Sequence, residues 1–146
     1  MFRGQTSELE SPQTMHHVGY VVRSIEDSAA SFARSLGLEW DKQIIHDPLQ
    51  GVRVSFFRSV SVDNPAIELV EPKSETSPVY RFLERGGGLH HLCFEVDDLE
   101  SQLRLARLNH DLVVREPLPA VAFGGRRIAW VYTREKLLLE YLERAH

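Results

Sequence analysis

The sequence predicts an α+β protein in which two βαβββ modules form a partly closed, cupped mixed sheet. The first observation is a repeat, because residues 16–22 (HHVGYVV) recur 74 positions later as residues 90–96 (HHLCFEV). The second is that each half closes with a similar strand, residues 67–71 (IELVE) and residues 139–143 (LEYLE), offset by 72. A repeat of this length, with strand and helix patterns in the same order, indicates a duplicated supersecondary unit.

Each module opens with a strand that leads into a helix. The first helix is expected after Ser24, where a Ser and the Asp27 that follows it three residues later form a typical helix start. The second is expected after Asp98, an acidic residue at the cap position. Its rough apolar stripe consists of Leu99, Leu103, Ala106 and Leu108.

The remaining elements complete one domain. A short helix over residues 77–85 links the modules, and the three glycines that follow it separate it from the second module. The other strand candidates are residues 38–45, 52–60, 112–115 and 126–132. We therefore expect a flexible N-terminal arm over residues 1–14 and one domain over residues 15–146, with module one at about 15–73 and module two at about 88–143.

Composition limits the possible partners. The chain has 146 residues, a formal net charge of −4 and interspersed charges, so no basic face for nucleic acid or an anionic membrane is expected. There is no run of about 18 apolar residues that would span a membrane. The single cysteine, Cys93, excludes an intramolecular disulfide and predicts a reducing, cytoplasmic location.

Strand alternation sorts the repeated histidines onto two faces. Residues two apart in a strand point the same way, so His16 and His90 are expected on the apolar face under the helices. His17 and His91 are then expected on the opposite face. The same reasoning places Cys93 beside His91, where a small buried thiol is expected rather than a nucleophile.

Two carboxylates occupy matching positions in the closing strands. Glu68 and Glu140 each lie between aliphatic neighbours, where a carboxylate is costly to bury unless it is paired or binds a metal. If the modules pack about a pseudo-twofold axis, these two residues converge with His17 and His91. Two imidazoles and two carboxylates suit one divalent ion such as Co²⁺, Mn²⁺, Ni²⁺, Zn²⁺ or Fe²⁺.

The same motifs resemble the vicinal oxygen chelate superfamily, which includes glyoxalases, bleomycin resistance proteins and dioxygenases. The resemblance runs from about Met15 to Glu143, and it is closest to methylmalonyl-CoA epimerases. The motifs that carry it are residues 67–72 (IELVEP), residues 77–98 and residues 124–130 (GGRRIAW). The resemblance places the metal ligands of the family on His17, Glu68, His91 and Glu140.

What the resemblance implies is a divalent-metal-dependent isomerase or epimerase. Such an enzyme moves a proton α to the carbonyl of an acyl thioester such as methylmalonyl-CoA, through a metal-stabilised enediolate. Glu140 and Glu68 are the catalytic candidates, because either carboxylate could leave the metal to carry the proton. Family likeness also predicts a homodimer.

One family position departs from the epimerase pattern. A catalytic Glu is commonly found two residues before a Gly-Val pair, and here Leu49 precedes Gly51 by two. Leucine cannot transfer a proton, so Asp47 or His46 is left open as a substitute. The alternatives are a glyoxalase I-like lyase and a metal-free protein that binds and sequesters drugs in the same cavity.

Two arginines near the end of the chain are weaker candidates for substrate binding. Arg126 and Arg127 could contact a phosphate of coenzyme A or a substrate carboxylate.

Overall fold

The computed structural model describes residues 13–61 and 63–145. The first half contains β1 (Thr14–Val21), α1 (Ile25–Leu36), β2 (Glu39–Trp40), β3 (Ile45–Asp47), β4 (Val52–Arg58) and β5 (Ala66–Pro72). After α2 (Tyr80–Glu84), the second half contains β6 (Gly88–Val96), α3 (Leu99–Leu108), β7 (Leu112–Pro119), a 3-10 turn (Val121–Phe123), β8 (Arg127–Tyr132) and β9 (Leu138–Glu143).

The nine strands of the described residues belong to one mixed sheet, and this confirms the predicted fold class. The strand order is β2-β4-β5-β1-β6-β9-β8-β7, with β3 also paired to β4. The two opening strands, β1 and β6, are antiparallel neighbours at the centre, and each pairs in parallel with the closing strand of its own half. The sheet therefore has a pseudo-twofold relation between β1 and β6. Among the strands that the structure describes, those at the two ends of this order do not pair, so the sheet is not closed into a barrel.

Helices α1 and α3 begin where the sequence predicts. The Ser24 hydroxyl accepts a hydrogen bond from the backbone N–H of Asp27, and the Asp98 carboxylate accepts one from Ser101, so both act as N-caps. Leu99, with Leu103 and Ala106, is buried in α3, but Leu108 is 76% exposed. Nine residues are about two and a half helical turns, so Leu108 faces away from Leu99.

Several element boundaries differ from the prediction, including the end of β4 at Arg58 instead of residue 60 and the start of β8 at Arg127 instead of residue 126. The strand expected at residues 38–45 is split into β2 and β3, because Lys42 adopts a left-handed conformation with φ of 61°. The linking helix starts only at Tyr80, since the three residues before it form a turn in which the Tyr80 N–H bonds to the Ser77 carbonyl. Conversely, β7 is longer than expected and reaches Pro119.

The helices of the two modules cover one side of the sheet. Helix α1 packs on Phe57 and Leu69, and α3 packs on Ala129 and Tyr141. The opposite side carries its own apolar cluster, which includes Phe56 and residues from both modules. This side holds the candidate site.

The N-terminal arm lies mostly outside the described residues. Residues 1–12 are not described, whereas Thr14, which was expected in the arm, begins β1. The side-chain amide of Gln13 donates a hydrogen bond to Gln102 at 2.8 Å. In the described part of the chain, every helix is too short or too polar to cross a lipid bilayer.

Candidate metal centre

The central strand pairing brings the four predicted ligands onto one face of the sheet. In one row of paired residues, Glu68 of β5 lies beside Gly19 of β1, which lies beside His91 of β6. In the adjacent row, His17 of β1 lies opposite Cys93, which lies beside Glu140 of β9. Because β5 and β9 flank the β1·β6 pair, the two carboxylates approach the imidazoles from opposite sides.

The four side chains meet at short distances. The Nε2 atoms of His17 and His91 are 3.2 Å apart. The Oε1 atom of Glu140 lies 3.0 Å from the Nε2 of His17 and 3.4 Å from that of His91. The Oε1 atom of Glu68 lies 3.4 Å from both nitrogens. Nitrogen and oxygen ligands that share one ion at about 2.1 Å are about 3.0–3.4 Å apart, so this spacing fits a divalent metal.

Burial and hydrogen bonding support the same interpretation. All four side chains are buried, and His17 is fully inaccessible to solvent. The Oε1 atom of Glu140 is buried and accepts no hydrogen bond within the described residues, despite its nearness to both imidazoles. A buried carboxylate oxygen without a donor is costly, and a cation would satisfy it. The donor set of two nitrogens and two carboxylates therefore fits a divalent ion, and with it the cluster would be neutral.

Without a cation, the cluster holds a proton on its histidines. Burial disfavours the charged imidazole of His17, but the nearby Glu68, together with Cys93 and Glu140, raises its pKa well above 6.5. Burial also disfavours charge on His91, but its contacts with Glu140 and Glu68 outweigh that effect and raise its pKa. Desolvation disfavours both carboxylates, but the histidines lower their pKa values below the usual range.

These shifts predict that metal binding releases a proton at neutral pH. A metal ligand must be a neutral imidazole, and the raised histidine pKa keeps the metal-free cluster protonated above pH 6.5. We therefore expect Zn²⁺ binding at pH 7 to release at least one proton, and the affinity for Zn²⁺ to rise with pH until the raised histidine pKa values are passed. Calorimetric titration in buffers of different ionisation enthalpy measures the number of protons released. Release of no proton at pH 7 would contradict the assignment of the two histidines as metal ligands.

The histidines that precede the two candidate ligands do not face the helices as alternation predicted. His16 is an extra residue in β1, between the pairs Met15–Phe94 and His17–Cys93. His90 is likewise an extra residue in β6, between the partners of Gly19 and Tyr20. Each therefore occupies a β-bulge, which lets two successive side chains turn toward the same face.

Each bulge histidine contacts its neighbouring ligand. The Nδ1 atoms of His16 and His17 are 2.8 Å apart, and those of His90 and His91 are also 2.8 Å apart. Burial, and then the neighbouring histidine, lowers the pKa of both His16 and His90 to about 4, so both are neutral. A neutral imidazole can accept the Nδ1–H of the ligand, which leaves the ligand's Nε2 lone pair free for a metal.

A glycine makes room for one of the ligands. A Cβ atom built on Gly19 would overlap the Cε1 atom of His91, and the backbone of Gly19 has no positive φ. The glycine is therefore needed for the close approach of the imidazole and not for an unusual turn.

A cavity of about 330 Å³ adjoins the cluster. Glu68, His91 and Glu140 line its wall, together with His90. Most of the remaining wall is apolar, including Val52, Val54, Val70, Ile128 and Trp130. Such a cavity suits a small organic ligand whose reacting group reaches the carboxylates.

The three residues considered for a second base lie in different places. Leu49 is 52% exposed and is absent from the described cavity wall. His46 is also exposed and does not line it. Asp47 is buried on the wall, but its two oxygens accept the backbone N–H groups of Gln50 and Val121 at 3.1 and 3.2 Å. Through these two hydrogen bonds, Asp47 connects the turn before β4 with Val121 of the second module.

The two arginines predicted to contact substrate form ion pairs elsewhere. Arg126 pairs with Glu95 at 2.9 Å, and Arg127 pairs with Glu100 and Glu143, each at 2.8 Å. Neither arginine is among the described residues of the cavity wall, so their role in substrate binding stays a prediction.

Arg115 of β7 lines the cavity instead, although no motif in the sequence points to it. Alternation places it on the face of Val113, which packs beneath α3. The pairing between β7 and β8 shifts register on both sides of Arg115, and these shifts turn its side chain toward the cavity. The sequence carries no signal for the register shifts.

Cys93 is a buried thiol beside the cluster, as the sequence predicts. Burial, and then the nearby carboxylates, raises the pKa of its thiol, so the sulfur stays protonated beside His17. It therefore fills space in the cluster rather than serving as a nucleophile.

Comparisons with known proteins agree with the motifs. A family model described as the Glyoxalase/Bleomycin resistance protein/Dioxygenase superfamily matches residues 16–130. The uncharacterized protein YqjC of Bacillus subtilis is 35% identical over 122 residues, which are 83% of this chain and 84% of that protein. An ethylmalonyl-CoA/methylmalonyl-CoA epimerase of Cereibacter sphaeroides is 38% identical over 123 residues, 83% of this chain and 89% of that enzyme.

A solved structure is similar over most of the chain. The crystal structure of methylmalonyl-CoA epimerase from Mycobacterium tuberculosis superposes with a TM-score of 0.78 at 25% identity. The match covers 91% of this chain and 89% of the other. Together these matches confirm the resemblance that the repeated motifs indicate.

Proposed function

Because the chain belongs to the Glyoxalase/Bleomycin resistance protein/Dioxygenase superfamily, we propose that it is a divalent-metal-dependent epimerase of acyl-CoA thioesters such as methylmalonyl-CoA. The observation that carries the proposal is the buried cluster of His17, Glu68, His91 and Glu140, which faces an apolar cavity. The similarity to an ethylmalonyl-CoA/methylmalonyl-CoA epimerase supports the choice of reaction.

In this proposal the four clustered residues hold the metal, and the two carboxylates among them also transfer the α-proton of the substrate. A bound divalent ion would supply positive charge that stabilises the enediolate formed when the α-proton of the thioester is removed. His17 and His91 stay neutral and fixed by their bulge partners. The apolar wall excludes water, which strengthens every electrostatic interaction inside the cavity.

The proton acceptors are the cluster carboxylates, since Leu49 cannot accept a proton and Asp47 is bonded to two backbone amides. We assign Glu140 as the residue that takes the α-proton, because its Oε1 atom accepts no hydrogen bond in the described residues. The C–H bond breaks, an O–H bond forms on the carboxylate, and the electron pair moves onto the substrate oxygen. Glu68, on the opposite side of the two imidazoles, enters this step protonated from solvent and gives that proton to the other face of the α-carbon. Glu140 then loses the abstracted proton to solvent, so that the enzyme returns to its starting state.

Deuterium exchange tests this function directly. The metal-loaded protein is incubated with (2R)- or (2S)-methylmalonyl-CoA in D₂O, and the α-proton and the epimer ratio are followed by NMR. We expect α-deuteration together with conversion of one epimer into the other, and loss of both after chelation. Absence of exchange with methylmalonyl-CoA and with ethylmalonyl-CoA in the metal-loaded protein would refute the proposed function.

The same experiment separates the alternatives. A glyoxalase I-like lyase would act on a glutathione hemithioacetal and leave these thioesters unlabelled, and a sequestering protein would catalyse neither reaction. The homodimer and the cytoplasmic location remain predictions.

A further inference from the structure

Arg115 lacks the acidic partner that several other arginines of this protein have. Ion pairs with a carboxylate are formed by Arg53, Arg107, Arg126, Arg127 and Arg144. Arg115 forms none within 4 Å among residues 13–61 and 63–145, although it is half-buried. The one hydrogen bond of its side chain in this region runs from Nη1 to the neutral Oε1 of Gln50, at 3.2 Å.

Residues of both modules hold the side chain of Arg115 in place. Gln50 lies in the turn between β3 and β4, and its backbone N–H is held by Asp47, which also binds Val121 of the second module. Register shifts in β7 on either side of Arg115 turn this residue into the cavity. The Arg115–Gln50 bond therefore joins the two modules at the half-buried part of the cavity wall.

The charges around the cavity leave Arg115 without a fixed counter-ion. Within the described wall, the carboxylates are those of Asp47, Glu68 and Glu140. Asp47 is bonded to two backbone amides, and the other two belong to the candidate metal cluster. Arg115 is the one Lys or Arg of that wall, so a ligand that enters the cavity meets a guanidinium with free donors.

The spacing between Arg115 and the cluster fits one small ligand. Arg115 is in register with Trp130, and Trp130 with Glu140, so two strand spacings separate the backbones of Arg115 and Glu140. Two spacings amount to about 10 Å. A ligand whose reacting carbon lies at Glu140 can thus present a second group to the guanidinium.

We propose that Arg115, held by Gln50, is a specificity-determining residue that binds an anionic oxygen group of the ligand, a carboxylate or a phosphate. A guanidinium recognises both groups through paired N–H donors, and a largely apolar wall strengthens this attraction. The inference rests on the proposed function and refines it by requiring that the thioester place such an anion at Arg115 when its α-carbon lies at Glu140.

Equilibrium binding to the metal-loaded protein tests the inference independently of turnover. Arg115→Met removes the charge and keeps the length, whereas Arg34→Met removes an exposed charge from α1 and serves as the matched control. Two probes are compared by calorimetry: methylmalonyl-pantetheine, which has a carboxylate and no phosphate, and isobutyryl-CoA, which has phosphates and no free carboxylate.

We expect Arg115→Met to weaken one probe by about 10–100-fold, the loss typical of a charge-assisted hydrogen bond, and Arg34→Met to leave both unchanged. Loss for methylmalonyl-pantetheine alone identifies a carboxylate as the anion, and loss for isobutyryl-CoA alone identifies a phosphate. Unchanged affinity for both probes, equal loss in both variants, or no binding by the unmodified protein would overturn the inference. Failure of the proposed function appears differently, as binding without α-proton exchange.

Discussion

Replacing Glu140 with Gln is expected to abolish both metal retention and turnover. The side chain keeps its size but loses the negative charge that balances the ion beside His17 and His91. Removal of one charge from a buried set costs about 3–5 kcal/mol, which corresponds to at least about a hundredfold weaker metal binding. Elemental analysis after loading with Co²⁺ and desalting should fall from about one ion per chain to almost none.

The matched control for this substitution is Glu143→Gln on the same strand. Glu143 is partly exposed and pairs with Arg127, so its neutralisation leaves the metal cluster untouched. We expect this control to keep its metal and its activity. If Glu140→Gln bound metal as tightly as Glu143→Gln does, Glu140 would not be a ligand.

The second large effect is expected from Gly19→Ala, which adds a single methyl group to the centre of the sheet. This methyl would overlap the imidazole of His91, and a side chain can move away more easily than the paired backbone of β1 and β6. We therefore expect the fold to survive, while metal affinity falls by about a hundredfold because His91 leaves its position. Cobalt absorption spectra and thermal unfolding of the metal-free protein measure the two effects separately.

Gly124→Ala provides the contrasting control. Gly124 has a φ of 64° and nothing within 4 Å of an added Cβ, so alanine there is strained but displaces no ligand. This variant should lose about 1–2 kcal/mol of unfolding free energy and keep its metal affinity. The opposite pattern, a large loss of stability with unchanged metal affinity in Gly19→Ala, would show that the glycine serves the fold and not the site.

The repeat made much of the fold predictable. The matching positions of His17 and His91, and of Glu68 and Glu140, are enough to place these residues on one face from residue order alone. The prediction failed where one residue interrupts a regular pattern: Lys42 splits a strand, and Leu108 lies half a turn away from the buried stripe of α3. Both depend on local geometry that a coarse periodicity does not resolve.

The sequence by itself determined the duplicated architecture and the four clustered residues, because internal symmetry and strand alternation are properties of residue order. Only the tertiary structure decided which other side chains face the cavity. An unpaired residue in a β-bulge changes the direction of its side chain, and a bulge depends on the register between two strands. His16 and His90 are such unpaired residues, and Arg115 directly follows the unpaired Val114, so their contacts with the cluster and the cavity arise from pairing between strands rather than from their own segments.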